Sequence, residues 1–307
     1  MPVFNSGMAP DIFDTRPLML AFLKFRQNPE SFRELATVRK ANAGHVDLAR
    51  FSGLGRFQVK EEGVPVSYDI PVQGDRRRVT HATYALGTAM THEAVEDARF
   101  DVLDRQTEAL ARSALDHRER LFWDLLNDAF AGSTHTTLDA LAICHTAHTM
   151  LKPTTAGQTL SNRLTPFVPL STEGLESMGI IFSTQLSEEG HQIGGSLKPK
   201  VLVVPAELEY VADNVLDAKG RPGTTNTYDV NTIAKHGLKV VASPHLTEEQ
   251  TYYLTAGKDQ SGLVWNDRQG YTMSNNVDAD TGDRKWRALY RASVHCEEWR
   301  GIVGTTP

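Results

Sequence analysis

Cys144, His145 and His148 fall close together in the stretch "CHTAH". A thiolate and two imidazoles are the donor types of a zinc site, and His135 could supply a fourth ligand. A metal-dependent hydrolase using the Cys144–His148 cluster is the alternative reading of another class. The spacing matches none of the stronger zinc patterns, and the flanking residues "STHTTLDALAI" read as a loop, so an ordinary polar loop stands beside the metal reading. His92 and Glu93 open "HEAVED", which lacks the second histidine of a zincin helix. His117 falls close to the apolar stripe of a long helical run, where a hydrogen-bonded interior or interface histidine is expected. Neither a G-x-S-x-G elbow, a phosphate-binding Walker loop nor a dinucleotide fingerprint occurs, and the glycines of "GLGRFQVKEEG" precede a strand pattern rather than a helix. No residue is therefore assigned a catalytic, cofactor-binding or metal-binding role, and no cofactor is expected. Arg76, Arg77 and Arg78 form a different kind of cluster, either a solvated turn or a contact to acidic residues of another subunit.

The elements that would position these groups differ along the chain. The 307 residues are 40% hydrophobic and 23% charged, enough to bury a core and stay soluble. A net charge of -6 argues against a protein whose main task is gripping nucleic-acid phosphates. Two distant cysteines indicate no disulfide framework. No run approaches the roughly 18 apolar residues of a membrane span, and the first residues lack the basic-then-apolar pattern of a signal peptide, so a soluble protein without membrane contact is expected.

Residues 1–50 are the least regular. "RPLMLAFLKFRQNPESF" and "ESFRELATVRKANAG" are short helix candidates, stopped by Pro29 and Gly44. In "VPVSYDIPV", Val64, Val66, Tyr68, Ile70 and Val72 occupy every second position, which predicts a strand with one apolar face. "QGDRRR" then reads as a turn and "VTHATYALGTAM" as the returning strand of a long hairpin. Pro65 and Pro71 exclude this strand from the middle of a sheet. A lone hairpin is marginal in water, so its apolar face must lie on the body of the protein or on a neighbouring subunit.

A long helix follows. Thr91 is the candidate N-cap, with Glu93, Glu96 and Asp97 at the positive end of the dipole. Leu103, Thr107, Leu110, Ala114, Leu121 and Leu125 mark its stripe, and Gly132 its stop. With a break near Phe100, the part from 101 to 130 would still run about 45 Å. That compares with a diameter of about 50 Å for a compact chain of this length, so the helix acts as a beam across an elongated or flat subunit. Downstream, a helix capped by Ser171 or Thr172, the strand "KPKVLVVP", a helix from "AELEYV" to Gly220, and the strands "LKVVASP", "TYYLTA" and "GLVWND" form an α+β unit with its own core. "KWRALYRASVHCEEWRGIVGT" reads as one or two further strands.

This order of pieces resembles the major capsid proteins of tailed bacteriophages, the Mu-like major head subunit group in particular. The carriers are the hairpin, "YALGTAMTHEAVEDARFDVLD", a helix ending "DHRERLFWDLLNDAF", then "HTAHTMLKPTTAGQTLSN", "PLSTEGLESM" and "LKPKVLVVPAELEYVADNVLDA", over residues 50–300. The resemblance implies an α+β, HK97-like fold: an N-terminal arm (1–53), an extended hairpin or E-loop (54–90), a peripheral domain with the spine helix (91–135 and 268–307), and an axial domain (136–267). It implies a subunit that assembles with itself into pentamers, hexamers and an icosahedral shell around double-stranded DNA. The DNA would face the interior without sequence-specific binding. The subunit would reside in the virion after assembly in the bacterial cytoplasm. A separate scaffolding protein is expected, because only about fifty residues precede the hairpin, and a portal and a maturation protease are expected as further partners. The candidate subunit-interface residues are Val64, Val66, Tyr68, Ile70, Arg76, Arg77 and Arg78. Some members crosslink a lysine to an asparagine; Lys60 and Asn275 or Asn276 match in residue type alone. An encapsulin-like compartment shell is the alternative within the same fold.

Overall fold

The computed structural model describes residues 30–93, 100–153, 157–218 and 230–307, together with 23, 25, 155 and 220. In chain order the strands and α-helices are β1 (Thr37–Lys40), β2 (His45–Phe51), β3 (Gln73–Thr80), β4 (Ala82–Met90), α1 (Phe100–Asn127), β5 (His148–Thr149), β6 (Thr159–Leu160), α2 (Thr172–Thr184), β7 (Val201–Pro205), α3 (Glu209–Asp217), β8 (Lys239–Ser243), β9 (Tyr252–Thr255), β10 (Leu263–Val277), β11 (Arg284–Cys296) and β12 (Ile302–Thr305). Two four-stranded sheets organise them, one in the order β1-β10-β11-β4 and one in the order β12-β9-β7-β8.

The beam helix is present. The 28 residues of α1 extend about 42 Å. Of its predicted stripe, Thr107, Leu110 and Leu125 are buried and Ala114 and Leu121 half-buried, while the side chain of Leu103 lies outside the described residues. Of the expected start, Glu93 is helical, whereas Glu96 and Asp97 fall outside the described residues. The helix stops at Asn127 because the Asp128 carboxylate turns onto the chain that follows. It accepts hydrogen bonds from the backbone N–H of Ser133, Thr134 and His135 at 2.9, 2.7 and 2.6 Å and from the Ser133 hydroxyl at 2.6 Å. Gly132 sits in this turn at a φ of 61°, which glycine adopts without a steric penalty.

The helix lies on the first sheet. Phe32, Phe122 and Trp265 stack in sequence, with ring centroids 5.1 and 4.6 Å apart from Phe32. Arg118 is buried in the middle of this apolar layer. Its guanidinium is paired with Glu30 and with Asp267 at 3.3 Å, and it lies over the rings of Trp265 at 4.6 Å and Tyr290 at 5.3 Å. Burial opposes its charge, but Glu30 and Asp267 prevail and raise its pKa. The buried pair thereby ties the segment before β1 to the helix and to β10.

The second sheet is covered on both faces, which explains why "VLVVP" is uninterruptedly apolar. Leu202 and Val204 face α2 and α3 in a core with Met178, Phe182 and Val215. Val201 and Val203 face the other way, into the main core with Leu125, Leu126 and Ile143. The Tyr253 hydroxyl donates to the Leu126 carbonyl at 2.7 Å and fastens this sheet to the end of α1. Ser171 caps α2 as expected, accepting from the N–H of Gly174 at 3.2 Å.

Five expectations are corrected. "ESFRELATVRKANAG" is a single 3-10 turn, Ser31–Glu34, followed by β1, which runs parallel to β10; β-branched Thr37 and Val38 and the burial of Phe32 override the helical pattern. The 64–72 segment forms no strand, since Pro65 and Pro71 cannot donate to a ladder, and the hairpin instead pairs β2 with β3. "QGDRRR" is therefore strand rather than turn, and β4 pairs with β11. Finally, β12 pairs with β9, so residues 302–305 complete the second sheet instead of returning to the long first one. The helix before it, α3, ends at Asp217 rather than Gly220.

Glu30→Gln should destabilise the subunit by about 3 kcal/mol, because it removes the nearer of the two carboxylates that neutralise a buried guanidinium and leaves Asp267 alone against it. Urea unfolding followed by tryptophan fluorescence measures this, and a loss below about 1 kcal/mol would show that Asp267 alone neutralises Arg118.

Candidate assembly surface

A buried carboxylate ties the first strand of the hairpin to the body. Glu188 accepts two hydrogen bonds from Arg50 on β2, at 2.9 and 2.8 Å, and one from Arg300 at 2.9 Å. It also accepts the N–H of Leu151 at 2.9 Å. Arg50 continues to Thr149, and Arg300 to the Leu186 carbonyl at 2.7 Å and to Glu298 at 2.8 Å. Burial opposes ionisation of Glu188, but the Arg50 hydrogen bond and the charge of Arg300 hold its carboxyl below the ordinary range. These three side chains line a cleft of about 630 Å³ between the hairpin root and the body.

From this root the chain runs out as the loop 52–72, between β2 and β3. Phe57, Val59 and Tyr68 are almost wholly exposed, at 107, 97 and 92%. Val64, Val66 and Ile70 are exposed as well. The four apolar interface candidates therefore lie together on one loop, but their alternation reflects outward projection rather than a ladder. Phe57 and Val59 belong to the same surface. Their signal in sequence is weak, because the glycines of "GLGRFQVKEEG" leave them outside the longer alternation from Val64 to Val72.

The Cys144–His148 cluster is structural. Cys144 is wholly buried in the main core, and burial pushes its thiol well up, away from the nucleophilic thiolate. His148, also wholly buried, has its Nδ1 at 2.7 Å from the Asp139 carboxylate and its Nε2 at 3.2 Å from Asn162 Oδ1. Its ring stacks on Trp299 with centroids 4.0 Å apart and planes 7° apart. Asn162 Nδ2 faces the carbonyls of Ile143, Trp299 and Ile302. Burial would raise Asp139, yet hydrogen bonds from His148 and Thr137 bring its pKa down to about 2. Both ring nitrogens of His148 are taken, so the histidine cannot act as a base toward the thiol. Among the described residues no group of three or more His, Cys, Asp or Glu side chains is placed to hold a metal ion.

A hairpin with an exposed apolar loop, a beam helix on a long sheet and a second α+β unit is an architecture with known parallels. The structure is similar to the procapsid protein of bacteriophage JBD30, with a TM-score of 0.54 and 13% identity over 99% of this chain and 76% of that one. It is similar to the capsid protein of a native GTA particle, with a TM-score of 0.55 and 11% identity over 99% and 91% of the two chains. It is also similar to the virus-like particle protein of Pyrococcus furiosus, with a TM-score of 0.50 and 9% identity over 96% and 99%. No curated protein matches. Residues 75–304 match the model of the family described as phage capsid protein. The chain belongs to that family. Its α+β fold is the HK97-like one that the order of elements implies. The family match is to phage capsid proteins as a class and does not single out the Mu-like group.

In this capsid subunit the three arginines do separate things, none of them at a turn tip. Arg78 pairs with Asp47 across the hairpin at 2.6 and 3.0 Å. Arg77 is half-buried and donates to the carbonyl and the hydroxyl of Thr136, fastening β3 to the body. Arg76 is exposed opposite Ala49. Of the three, Arg76 is the one whose replacement leaves the hairpin's own contacts intact.

Two outcomes follow for the capsid subunit. Glu188→Gln should cost about 3 kcal/mol in urea unfolding, because buried Arg50 loses its carboxylate and buried Arg300 keeps only the half-exposed Glu298. Acid should unfold the subunit in a defined window. Asp128 and Asp139 are each held at about 2 against an ordinary 3.8, so their contribution is complete above about pH 4 and disappears as the pH falls toward 2. Circular dichroism between pH 5 and 2 measures this. In Asp139→Asn the transition should become shallower, because fewer protons are taken up on unfolding.

Proposed function

We propose that this capsid protein is the major subunit of an icosahedral shell that encloses the double-stranded DNA of a tailed phage or prophage. The observation that carries the reading is the exposed apolar row Phe57, Val59, Val64, Val66, Tyr68 and Ile70 on the loop 52–72. Contiguous apolar side chains of this number are not left in water by a protein that works alone. A second copy covers them in the shell, and the interface candidates Val64, Val66, Tyr68 and Ile70 act there with Arg76. Residues 54–72 with the β2–β3 hairpin serve as the E-loop, α1 with the first sheet as the peripheral domain, and the second sheet with α2 and α3 as the axial unit around the capsomer axis. The net charge of -6 suits an inner surface along which DNA slides during packing. Scaffolding protein, portal and maturation protease are its partners in assembly, which takes place in the host cytoplasm. The protein has no catalytic role.

Hydrogen exchange separates the two states of the loop. Residues 54–72 should exchange within the fastest class in the isolated subunit and slow by at least about tenfold in the assembled shell, because burial at an interface removes local opening. Equal rates in both states would remove the loop from the interface. Replacing Phe57, Tyr68 and Ile70 by Ser should leave the unfolding midpoint unchanged and abolish assembly, measured by light scattering against concentration. A compartment shell is the second reading, favoured by the shared fold with the virus-like particle protein. Nuclease-resistant DNA of uniform length inside purified shells decides for the phage head, and shells holding a co-expressed enzyme decide for the compartment.

A further inference from the structure

The face of the first sheet turned away from α1 gathers cationic side chains where the hairpin enters the sheet. Tyr290, Ala292 and Val294 of β11 face the main core, so Arg291, Ser293 and His295 alternate to the other side. Asn266 of β10 lies opposite Ser293. Beyond it, Asp267 pairs with Ala292 and Gln269 with Arg291, which leaves Arg268 as the extra residue of a bulge. Asp267 turns to Arg118, whereas Arg268 Nη1 donates to the Ala41 carbonyl at 3.3 Å. On the other flank of β11, Arg291 lies opposite Thr83 of β4. His81, the single residue between β3 and β4, meets the Ser293 hydroxyl with its Nδ1 at 2.9 Å. Opposed and diagonal neighbours on one face of a sheet stand about 5–8 Å apart, a gap that one small ion can bridge.

Three buried nitrogens of this cluster, His81 Nε2, Arg268 Nε and Arg291 Nε, have no hydrogen-bond partner among the described residues. All three are donors. Ser293 Oγ faces the donor Asn266 Nδ2 at 3.4 Å, so its own hydrogen goes to His81 Nδ1 and the imidazole hydrogen sits on Nε2. Burial, then the charges of Arg291 and Arg268, hold the His81 pKa below its ordinary value, so the ring offers a neutral N–H. The carboxylates of the adjoining segments are engaged elsewhere, Asp47 by Arg78 and Glu297 by Arg39 and His295. The Arg291 side chain makes neither a hydrogen bond nor an ion pair among the described residues. Buried donors without acceptors are costly, and two arginine charges without a carboxylate add to that cost. We propose that His81, Arg268 and Arg291 form a binding site for a tetrahedral oxyanion of the phosphate class. Such an ion presents an oxygen to each of three donors arriving from different strands, which a two-oxygen carboxylate does not. His81 is only 5% exposed, which suits a lone ion better than a phosphate carried on a duplex. The bound ion ties the residue joining β3 to β4 onto β10 and β11, and so fastens the hairpin to the first sheet. The site rests on intrachain geometry and goes beyond the capsid reading.

Isothermal titration calorimetry of the full chain with inorganic phosphate, at neutral pH and at an ionic strength held constant with sodium chloride, tests the site. The urea midpoint in the same buffers is the second readout. The wild type should bind phosphate saturably, and its midpoint should rise and then level off as the site fills. Arg291→Gln should weaken phosphate binding at least about tenfold, the loss expected for one charge-assisted hydrogen bond. Its midpoint without phosphate should be unchanged or higher, because Arg291 has no partner to lose; a purely structural arginine would lower it. The proposal is overturned if the wild type binds no phosphate, or if Arg291→Gln binds it as tightly as the wild type. It is equally overturned if phosphate raises both midpoints alike and without saturation, the general effect of an excluded salt. Far-UV circular dichroism is the folding control, and should Arg291→Gln fail it, Arg268→Gln decides by the same binding criterion. A short DNA duplex at the same phosphate concentration separates the two sources of the group. Binding of inorganic phosphate without the duplex assigns the site to the free ion, and Arg291-dependent binding of the duplex assigns it to a nucleic-acid phosphate.

Discussion

The subunit turns on the carboxylate of Glu188. Three separate pieces of chain meet there: β2 through Arg50, the segment after β5 through the Leu151 N–H, and the residues before β12 through Arg300. A buried charge is tolerated only where partners converge on it from fixed directions. Each partner in turn has its second set of donors occupied, Arg50 by Thr149 and Arg300 by Leu186 and Glu298. The network sets the direction in which the hairpin leaves the body. An apolar contact of the same area would slide; paired guanidinium forks do not. A long loop with an apolar surface is useful to a shell only if every copy presents it at the same angle, and this junction supplies the angle.

Arg118 is a second buried charged centre. It inserts a charge into the aromatic layer between α1 and the first sheet, where Glu30 and Asp267 neutralise it. The packing around it is apolar and stiff, with Phe32, Phe122, Trp265, Leu125 and Leu126 all wholly buried. Load applied to the hairpin is therefore carried into the helix and the long sheet rather than absorbed locally.

Much of this was legible in the sequence, and the rest was not, for identifiable reasons. α1, α2 with its Ser171 cap, β7 and α3 follow from periodicity and capping because their burial patterns are local. The hairpin pairing does not follow. Alternation from Val64 to Val72 signals an apolar face without saying what the face touches, and among the described residues nothing covers it. The run Arg76–Arg78 reads as a turn by composition, yet Asp47 and Thr136 hold it in a strand. Glu30, Arg50, Glu188 and Arg300 carry no sequence signal at all, since charged residues are ordinarily on the surface and Arg50 lies 138 residues from its partner. Residue type marks His148 as a candidate, but it does not show that Asp139 and Asn162 occupy its two nitrogens and Trp299 stacks on its ring.

The position of β12 has a consequence for synthesis. Asn162 bonds to the carbonyl of Ile302, 140 residues further on, and β12 adds the strand that pairs with β9. A ribosome adding about 5–20 residues each second leaves the earlier half of this contact waiting for roughly 7–28 s. During that interval the sheet lacks its outer strand, Glu188 lacks Arg300, and the hairpin root is not yet locked. A nascent or truncated chain thus carries the apolar loop without the means to aim it. Only a polypeptide read through residue 305 acquires the locked hairpin root, so on the proposed reading unfinished copies stay out of a lattice where one misplaced tile would be copied into every contact around it.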